Sequence, residues 1–302
     1  MKHILSAKQF SRSDLEFLMS EARKMDSILD KGGNRMFDEK IMATLFYEPS
    51  TRTRLSFESA MMRLGWRVIS ETDVNFSSQS KWEILGDTIR IVSGYADIIA
   101  IRSKNTGDAL LASQYSRVPI INAGDGSGEH PTQALLDLYT ISKDFPGIFS
   151  GEKLKVTFVW DLRYGRTVHS LSILLRNFSN VSLTFIAPEN LNLPEQYRTE
   201  KDIFSHILTD DLLGSSDVIY MTRVQKERFP DIESYDAVKD AFIFDTATVE
   251  KMKSNAILMH PLPRVNEIIL DIDNLPQARY FEQARNGVPV RMALIKYCLE
   301  HV

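Results

Sequence analysis

One cysteine, Cys298, in 302 residues excludes an internal disulfide and any cysteine-rich zinc site. It lies in an apolar helical stretch near the C-terminus, where a buried, inert thiol is expected. No apolar run reaches the roughly 18 residues needed to span a bilayer, so no membrane partner is expected. The N-terminal stretch "MKHILSAKQFSRSDLEFL" has no long apolar core and no cleavage site, which points to a cytoplasmic protein. Basic excess is also missing. The formal net charge is -4, so nucleic acid is not an expected partner and any basic residues that matter act locally. Two familiar phosphate motifs are absent as well. There is no G-x-x-x-x-G-K-[ST]. The glycines at 124, 126 and 128 miss G-x-G-x-x-G because position 129 is glutamate. Besides His130, the histidines at 3, 169, 206, 260 and 301 show no metal-ligand spacing, so neither a metal nor another cofactor is expected.

What remains is ordinary globular composition, 43% hydrophobic and 25% charged, with a length that suits two domains. Apolar runs alternate with helical patterns throughout. "KIMATLFYEP", "RVISETD", "ADIIAIR" and "VPIINAGD" read as strands in the first half. "TRTRLSFESAMMRLG" and "EILGDTIRIVSGY" read as helices between them, and residues 13–30 as a helix before them. "KLKVTFVWD", "VSLTFIAP", "DVIYMTR" and "NAILMHPLP" repeat the strand pattern in the second half, with "GRTVHSLSILLRNF" and a segment at "AFIFDTATVEKMK" among them. This alternation predicts an α/β protein with two parallel sheets. The domain boundary is expected inside a helix running from near His130 to about Phe145.

Polar residues cluster where these strands end: Ser50 to Arg54, Arg102, His130, Arg223 and His260. Ligands of parallel α/β sheets sit beyond such ends. "FYEPSTRTRLSF" drives an apolar strand straight into Ser50-Thr51-Arg52-Thr53-Arg54 at a helix start. Ser50 suits an N-cap, but two arginines in the first turn oppose the positive end of the helix dipole. A lone S-T-R would read as a capped helix with solvated arginines. The doubled pattern instead predicts an anion, and phosphate suits the number of N–H and hydroxyl donors better than carboxylate. His130 and Gln133, three apart, share a helix face. They either polarise a carbonyl and hold an amide or serve as a cap and a surface residue.

Taken in order, S-T-R-T-R at 50–54, "HPTQALLDLYTI" at 130–141, "DLRYGRTVHSL" at 161–171, "YMTRVQKERF" at 220–229 and "HPLPRVNEI" at 260–268 resemble the aspartate/ornithine carbamoyltransferase family. The last two motifs resemble its aspartate branch, and the likeness runs from the first helix to "NGVPVRMALIKY". The resemblance implies two α/β domains with the active site in the cleft between them. Residues 1–132 with 285–302 would bind carbamoyl phosphate and 133–284 would bind L-aspartate. It implies Ser50, Thr51, Arg52 and Thr53 on the phosphate. Thr53, Arg102 and His130 would face the carbonyl oxygen. Gln133 and the backbone carbonyls of Pro261 and Leu262 would hold the carbamoyl nitrogen. Arg166, Arg223 and Gln225, with Leu262 and Pro263, would hold aspartate. It further implies a homotrimer in which a neighbouring subunit contributes Lys81 and a serine, Ser77 by spacing with Ser78 and Ser80 as close alternatives, and it is compatible with a separate regulatory chain. Two departures stand out. The family's K-G-E-T is Lys81-Trp82-Glu83-Ile84 here, and Trp160 stands where glycine is usual. Tryptophan resists backbone angles that glycine accepts.

Overall fold

A computed structural model describes residues 3–72, 82–224, 231, 233 and 242–300. The chain divides into two compact units, Met1–Tyr139 with Asn286–Val302, and Thr140–Arg285. Each is an α/β unit with a parallel sheet, as the alternation predicts.

In the first unit, strands β1 (Ile41–Phe46), β2 (Arg67–Glu71), β3 (Ile98–Ser103) and β4 (Ile120–Asp125) form one sheet in the order β2-β1-β3-β4. All three pairings are parallel. Helices α1 (Arg12–Asp30), α2 (Thr51–Arg63), α3 (Leu85–Val92) and α4 (Asp108–Tyr115) belong to this unit. α1 begins in a capping box, in which Ser11 Oγ accepts from Asp14 N–H at 3.2 Å and Asp14 Oδ2 accepts from Ser11 N–H at 2.9 Å. α2 ends before Gly65, whose φ of 90° is open to glycine at no steric cost. β3 and β4 are buried along their whole length. That explains why residues 98–101 and 120–121 read as apolar runs and not as alternating patterns, with polar residues towards the carboxyl ends. Ala43, Leu45, Ile99, Ile101 and Ile120 make part of the core, each fully buried isoleucine contributing about 1.5–3 kcal/mol.

Helix α5 (Pro131–Asp144) carries the chain into the second unit, and α9 (Tyr280–Glu300) carries it back. The second sheet contains β5 (Leu154–Val159), β6 (Val181–Ile186), β7 (Ile203–Ser205), β8 (Val218–Met221) and β9 (Ile257–Met259), in the order β7-β6-β5-β8-β9, again all parallel. Helices α6 (Arg166–Leu175), α7 (Asp210–Ser215) and α8 (Thr246–Glu250) accompany it. Cys298 lies buried in α9, where burial pushes its thiol up to about 12 and leaves it protonated. Among the described residues no helix is long and apolar enough to cross a membrane.

Candidate active site

Both strand orders reverse once. In the first sheet the reversal lies between β1 and β3, and in the second between β5 and β8. Such a switch point opens a crevice beyond the carboxyl ends of two neighbouring strands. Of the polar residues singled out in the sequence, Ser50 to Arg54 and Arg102 follow the two strands at the first switch point and Arg223 follows a strand of the second, while His130 and His260 follow the neighbouring strands β4 and β9.

In the first unit, β1 leads into α2. Ser50 occupies the N-cap position with extended backbone, φ -161°, but its side chain makes no capping hydrogen bond. The predicted cap is therefore one of position only, and the hydroxyl is not committed to the helix. Thr51 and Arg52 are exposed at the tip, while Thr53 is buried. The two arginines differ. Arg54 Nη1 lies 3.5 Å from Glu58 Oε1, one turn along the helix, and that carboxylate also accepts from Ser70 Oγ at 2.8 Å. Part of the charge that seemed to require a ligand is thus balanced within α2.

Arg102 is paired with Phe46 across β1 and β3, so it reaches the same edge. Its Nε lies 3.1 Å from Glu48 Oε2, and its Nη1 donates to Ala123 O at 3.3 Å. Past the end of β4, the loop through Gly126 leads to His130 and α5. Gly126 takes φ 51°, and a Cβ there would meet Lys104 O at 2.7 Å, so this loop needs glycine. His130 is buried, with Nδ1 3.5 Å from Thr132 Oγ1. Gln133 is half-buried and donates from Nε2 to Asp137 Oδ1 at 2.8 Å. Ser50 to Thr53, Arg102, His130 and Gln133 thus collect at the carboxyl ends of three adjacent strands.

In the second unit, Arg166 is the first residue of α6, after β5, and is buried. Gly165 precedes it so closely to Asp161 that a Cβ would lie 2.5 Å from Asp161 O. Arg223 follows β8, two residues past Met221, which pairs with Val159 at the end of β5. His260 to Pro263 follow β9, which pairs with β8. Again three adjacent strand ends supply the group. The charge of Arg223 reaches His260, where it disfavours protonation.

The turn at 260–263 is held from inside. His260 Nδ1 accepts from Leu262 N–H at 2.8 Å, so Nε2 carries the proton and donates to Glu267 Oε1 at 2.8 Å. Glu267 Oε2 accepts from the N–H groups of Val265 and Asn266, at 3.0 and 3.1 Å. Leu262 has φ 53° and a cis bond to Pro263. Among the described residues, neither the Pro261 nor the Leu262 carbonyl accepts a hydrogen bond. Both are acceptors suited to an N–H donor.

Burial holds the His260 imidazole below its ordinary value, outweighing the hydrogen bond and charge of Glu267, which favour the proton. Burial pushes Glu267 the other way, yet the His260 hydrogen bond and charge and two backbone N–H groups keep its carboxyl below the usual range. The two signs give one trend. Above the ordinary imidazole value of 6.5 His260 is neutral folded or unfolded and contributes nothing. As pH falls through that value the unfolded chain takes up a proton that the folded chain refuses, and stability falls until the folded imidazole titrates. Glu267 contributes stability above 4.5 that is lost at still lower pH. The urea midpoint should therefore decline as pH drops below about 6.5, and His260→Gln should flatten the upper part of that decline. Parallel curves for the two proteins would exclude His260 as its source.

Two tryptophans occupy glycine-like backbone. Trp82 has φ 70° and its side chain is 93% exposed. Trp160, just past β5, has φ 95° and is buried, its ring edge-on to Phe242 with centroids 5.9 Å apart. The geometry that glycine would adopt easily is kept here at a cost of about 1–2 kcal/mol per residue.

Ser77, Lys81 and Gln225 lie outside the described residues. Three residues near the predicted ones escaped the sequence reading. Glu48 and Glu267 carried no pattern of their own. Asp137 did carry a signal, one helical turn from Gln133.

Comparison with known proteins gives one family. The model described as "Aspartate/ornithine carbamoyltransferase, carbamoyl-P binding domain" matches residues 2–143, and that described as "Asp/Orn binding domain" matches residues 152–298. The aspartate carbamoyltransferase catalytic subunit of Methanocaldococcus jannaschii is 51% identical, covering 99% of this chain and 98% of that protein. A solved structure of the M. jannaschii catalytic subunit superposes with a TM-score of 0.90 at 48% identity, covering 100% of this chain and 99% of that one. Aspartate transcarbamoylase from Trypanosoma cruzi, solved in complex with carbamoyl phosphate and aspartate, superposes with a TM-score of 0.90 at 38% identity, covering 97% and 95% of the two chains.

Proposed function

The chain belongs to the aspartate/ornithine carbamoyltransferase family, and from that premise we propose that it transfers the carbamoyl group of carbamoyl phosphate to the amino group of L-aspartate, giving N-carbamoyl-L-aspartate and phosphate in pyrimidine synthesis. The observation that carries this reading is the placement of two anion-recognition groups at the switch points of two parallel sheets. One is rich in hydroxyls and helix-tip N–H groups and suits a phosphate. The other carries two arginines and suits a dicarboxylate.

In this reading Ser50, Thr51, Arg52 and Thr53 hold the phosphate at the α2 N-terminus. Thr53, Arg102 and His130 donate to the carbonyl oxygen and stabilise the charge that develops there when the amine attacks. Gln133 and the Pro261 and Leu262 carbonyls accept from the carbamoyl nitrogen. Arg166, Arg223 and Gln225, with Leu262 and Pro263, hold aspartate, the guanidinium forks matching its carboxylates. A C–N bond forms, the C–O bond to phosphate breaks, and the amine's proton leaves with the phosphate. No covalent enzyme intermediate is needed, because positioning the two substrates supplies much of the rate. Homotrimer assembly, with Ser77 and Lys81 reaching a neighbour's site, and a cytoplasmic setting belong to the same proposal.

A colorimetric assay for ureido product, run with carbamoyl phosphate and a panel of amines, tests it. Product with aspartate supports the reading. Product only with another amine would make the chain a paralogue with a different acceptor. No product with any amine would make it a silent subunit. Trp82 supplies the specific reason to vary the acceptor, since it replaces a glycine beside Lys81. Trp82→Gly is expected to change kcat, and an unchanged kcat and KM would separate this residue from turnover.

A further inference from the structure

Gln133 and Asp137 stand one turn apart on α5, and Nε2 of the amide donates to Oδ1 of the carboxylate at 2.8 Å. Asp137 is fully buried. An ionised carboxylate only accepts hydrogen bonds, whereas a primary amide has a donating end and an accepting end. Asp137 can therefore face only the NH2 end of Gln133. The opposite end, Oε1, is an acceptor.

A buried cation on a second element bears on the carboxylate electrostatically. Arg291 on α9 is buried, and its guanidinium carbon sits 4.8 Å from the centroid of the Phe57 ring on α2. Burial pushes this guanidinium down to about 9, with Asp137 drawing it up and Arg102 pressing it further down. It stays charged at neutral pH and attracts the Asp137 carboxylate. That attraction is weak evidence for stability, since apolar residues of similar volume often serve as well. Its link to Gln133 gives it another use.

We propose that Asp137 is a positioning residue that locks the Gln133 amide so that an oxygen, and never an NH2 group, meets the nitrogen of the carbamoyl donor. The consequence is specificity for an amide-bearing donor over one with a methyl group in its place. This rests on the donor-binding role given to Gln133 above. Without the lock the amide can turn over and present a donor to a donor, and the share of the preference that Gln133 supplies is lost, the Pro261 and Leu262 carbonyls keeping theirs, while phosphate recognition is untouched.

The test uses two stable phosphonates that differ only at this point, phosphonoacetamide and its methyl ketone counterpart, 2-oxopropylphosphonate, titrated calorimetrically into the full-length protein. The unsubstituted protein should prefer the amide by about tenfold or more, the worth of one well-made hydrogen bond over an unpaired group. Asp137→Asn and the double variant Asp137→Leu/Arg291→Met should lower that preference by about threefold or more, the part Gln133 supplies, while the ketone's Kd stays within about threefold. The double variant removes both buried charges together, so it tests the idea even if the single one fails to fold. Equal weakening of both ligands would mean a merely structural role and overturn the proposal. An unaltered preference in the variants would overturn it too, while leaving the proposed reaction standing. If the unsubstituted protein bound neither phosphonate, the proposed reaction would fall with it. Neutron diffraction of the unsubstituted protein with phosphonoacetamide reads the orientation directly: Gln133 deuterons facing Asp137 support the lock, and deuterons facing the ligand refute it.

Discussion

Arg52→Ala should lower kcat by about three orders of magnitude, whereas Arg54→Ala, two residues away on the same helix, should cost less than about tenfold. Local pattern does not separate them, since both follow a threonine in S-T-R-T-R, and only the family resemblance singles out Arg52. The structure does. Arg54 pairs with Glu58 one turn along α2, and Glu58 is anchored in turn by Ser70. Arg52 is exposed at the helix tip, beside the N–H groups that suit a phosphate. Phosphate is the leaving group, so charge accumulates on its oxygens as the C–O bond breaks. A guanidinium there acts in the transition state more than in the ground state, and its removal falls on kcat. Because Arg52 is exposed, its loss should leave unfolding free energy within about 0.5 kcal/mol of the parent. Steady-state ureido assays beside urea unfolding of the two single variants decide the matter. Equal kcat losses at 52 and 54 would contradict the division of labour between them.

The strands were readable because parallel sheets bury both faces. β8 is apolar throughout, β1 and β3 are nearly so, and β4 and β5 are mostly apolar with polar interruptions, so their carboxyl ends could be named from sequence. β7 was not readable. It is three residues long and largely exposed, so neither a period nor an apolar run marks it. α4 and α7 were missed for a similar reason. α4 has eight residues and α7 has six, and the N-cap of α4 is Gly107 with φ 96°, a residue that usually signals a turn.

The site divides in the same way. Single positions at strand ends were legible, because topology alone sends them to the crevice. Their partners were not. Glu48 beside Arg102, Glu267 behind His260 and Arg291 near Asp137 are side-chain pairings that arise only after the chain has folded. The same limit explains the tryptophans. Sequence shows the conflict between tryptophan and a glycine-like backbone. Which side yields depends on packing, and at Trp160 the burial of a whole indole offsets left-handed strain of about 1–2 kcal/mol.

Arg223→Lys should raise the KM for aspartate by about a hundredfold while leaving the affinity for carbamoyl phosphate within about threefold. The substitution keeps the charge, which is why it is the sharper test. Arg223 sits just beyond β8, and its charge already helps hold the buried His260 neutral. A neutral replacement would remove that influence and favour protonation of Nδ1, the atom that receives Leu262 N–H. The 260–263 turn would then change along with the guanidinium, and two causes would be mixed. Lysine leaves the sign of the field in place and removes only the planar fork. Any loss of aspartate affinity then measures bidentate geometry. Aspartate carries two carboxylates, and Arg166, buried at the first position of α6, is the second cation on this unit's crevice edge. Arg166 remains to hold one carboxylate, so substrate should still bind, weakly, with the other carboxylate held by a point charge instead of two parallel hydrogen bonds. A KM that moves less than fivefold, or an equal loss for both substrates, would remove Arg223 from acceptor recognition.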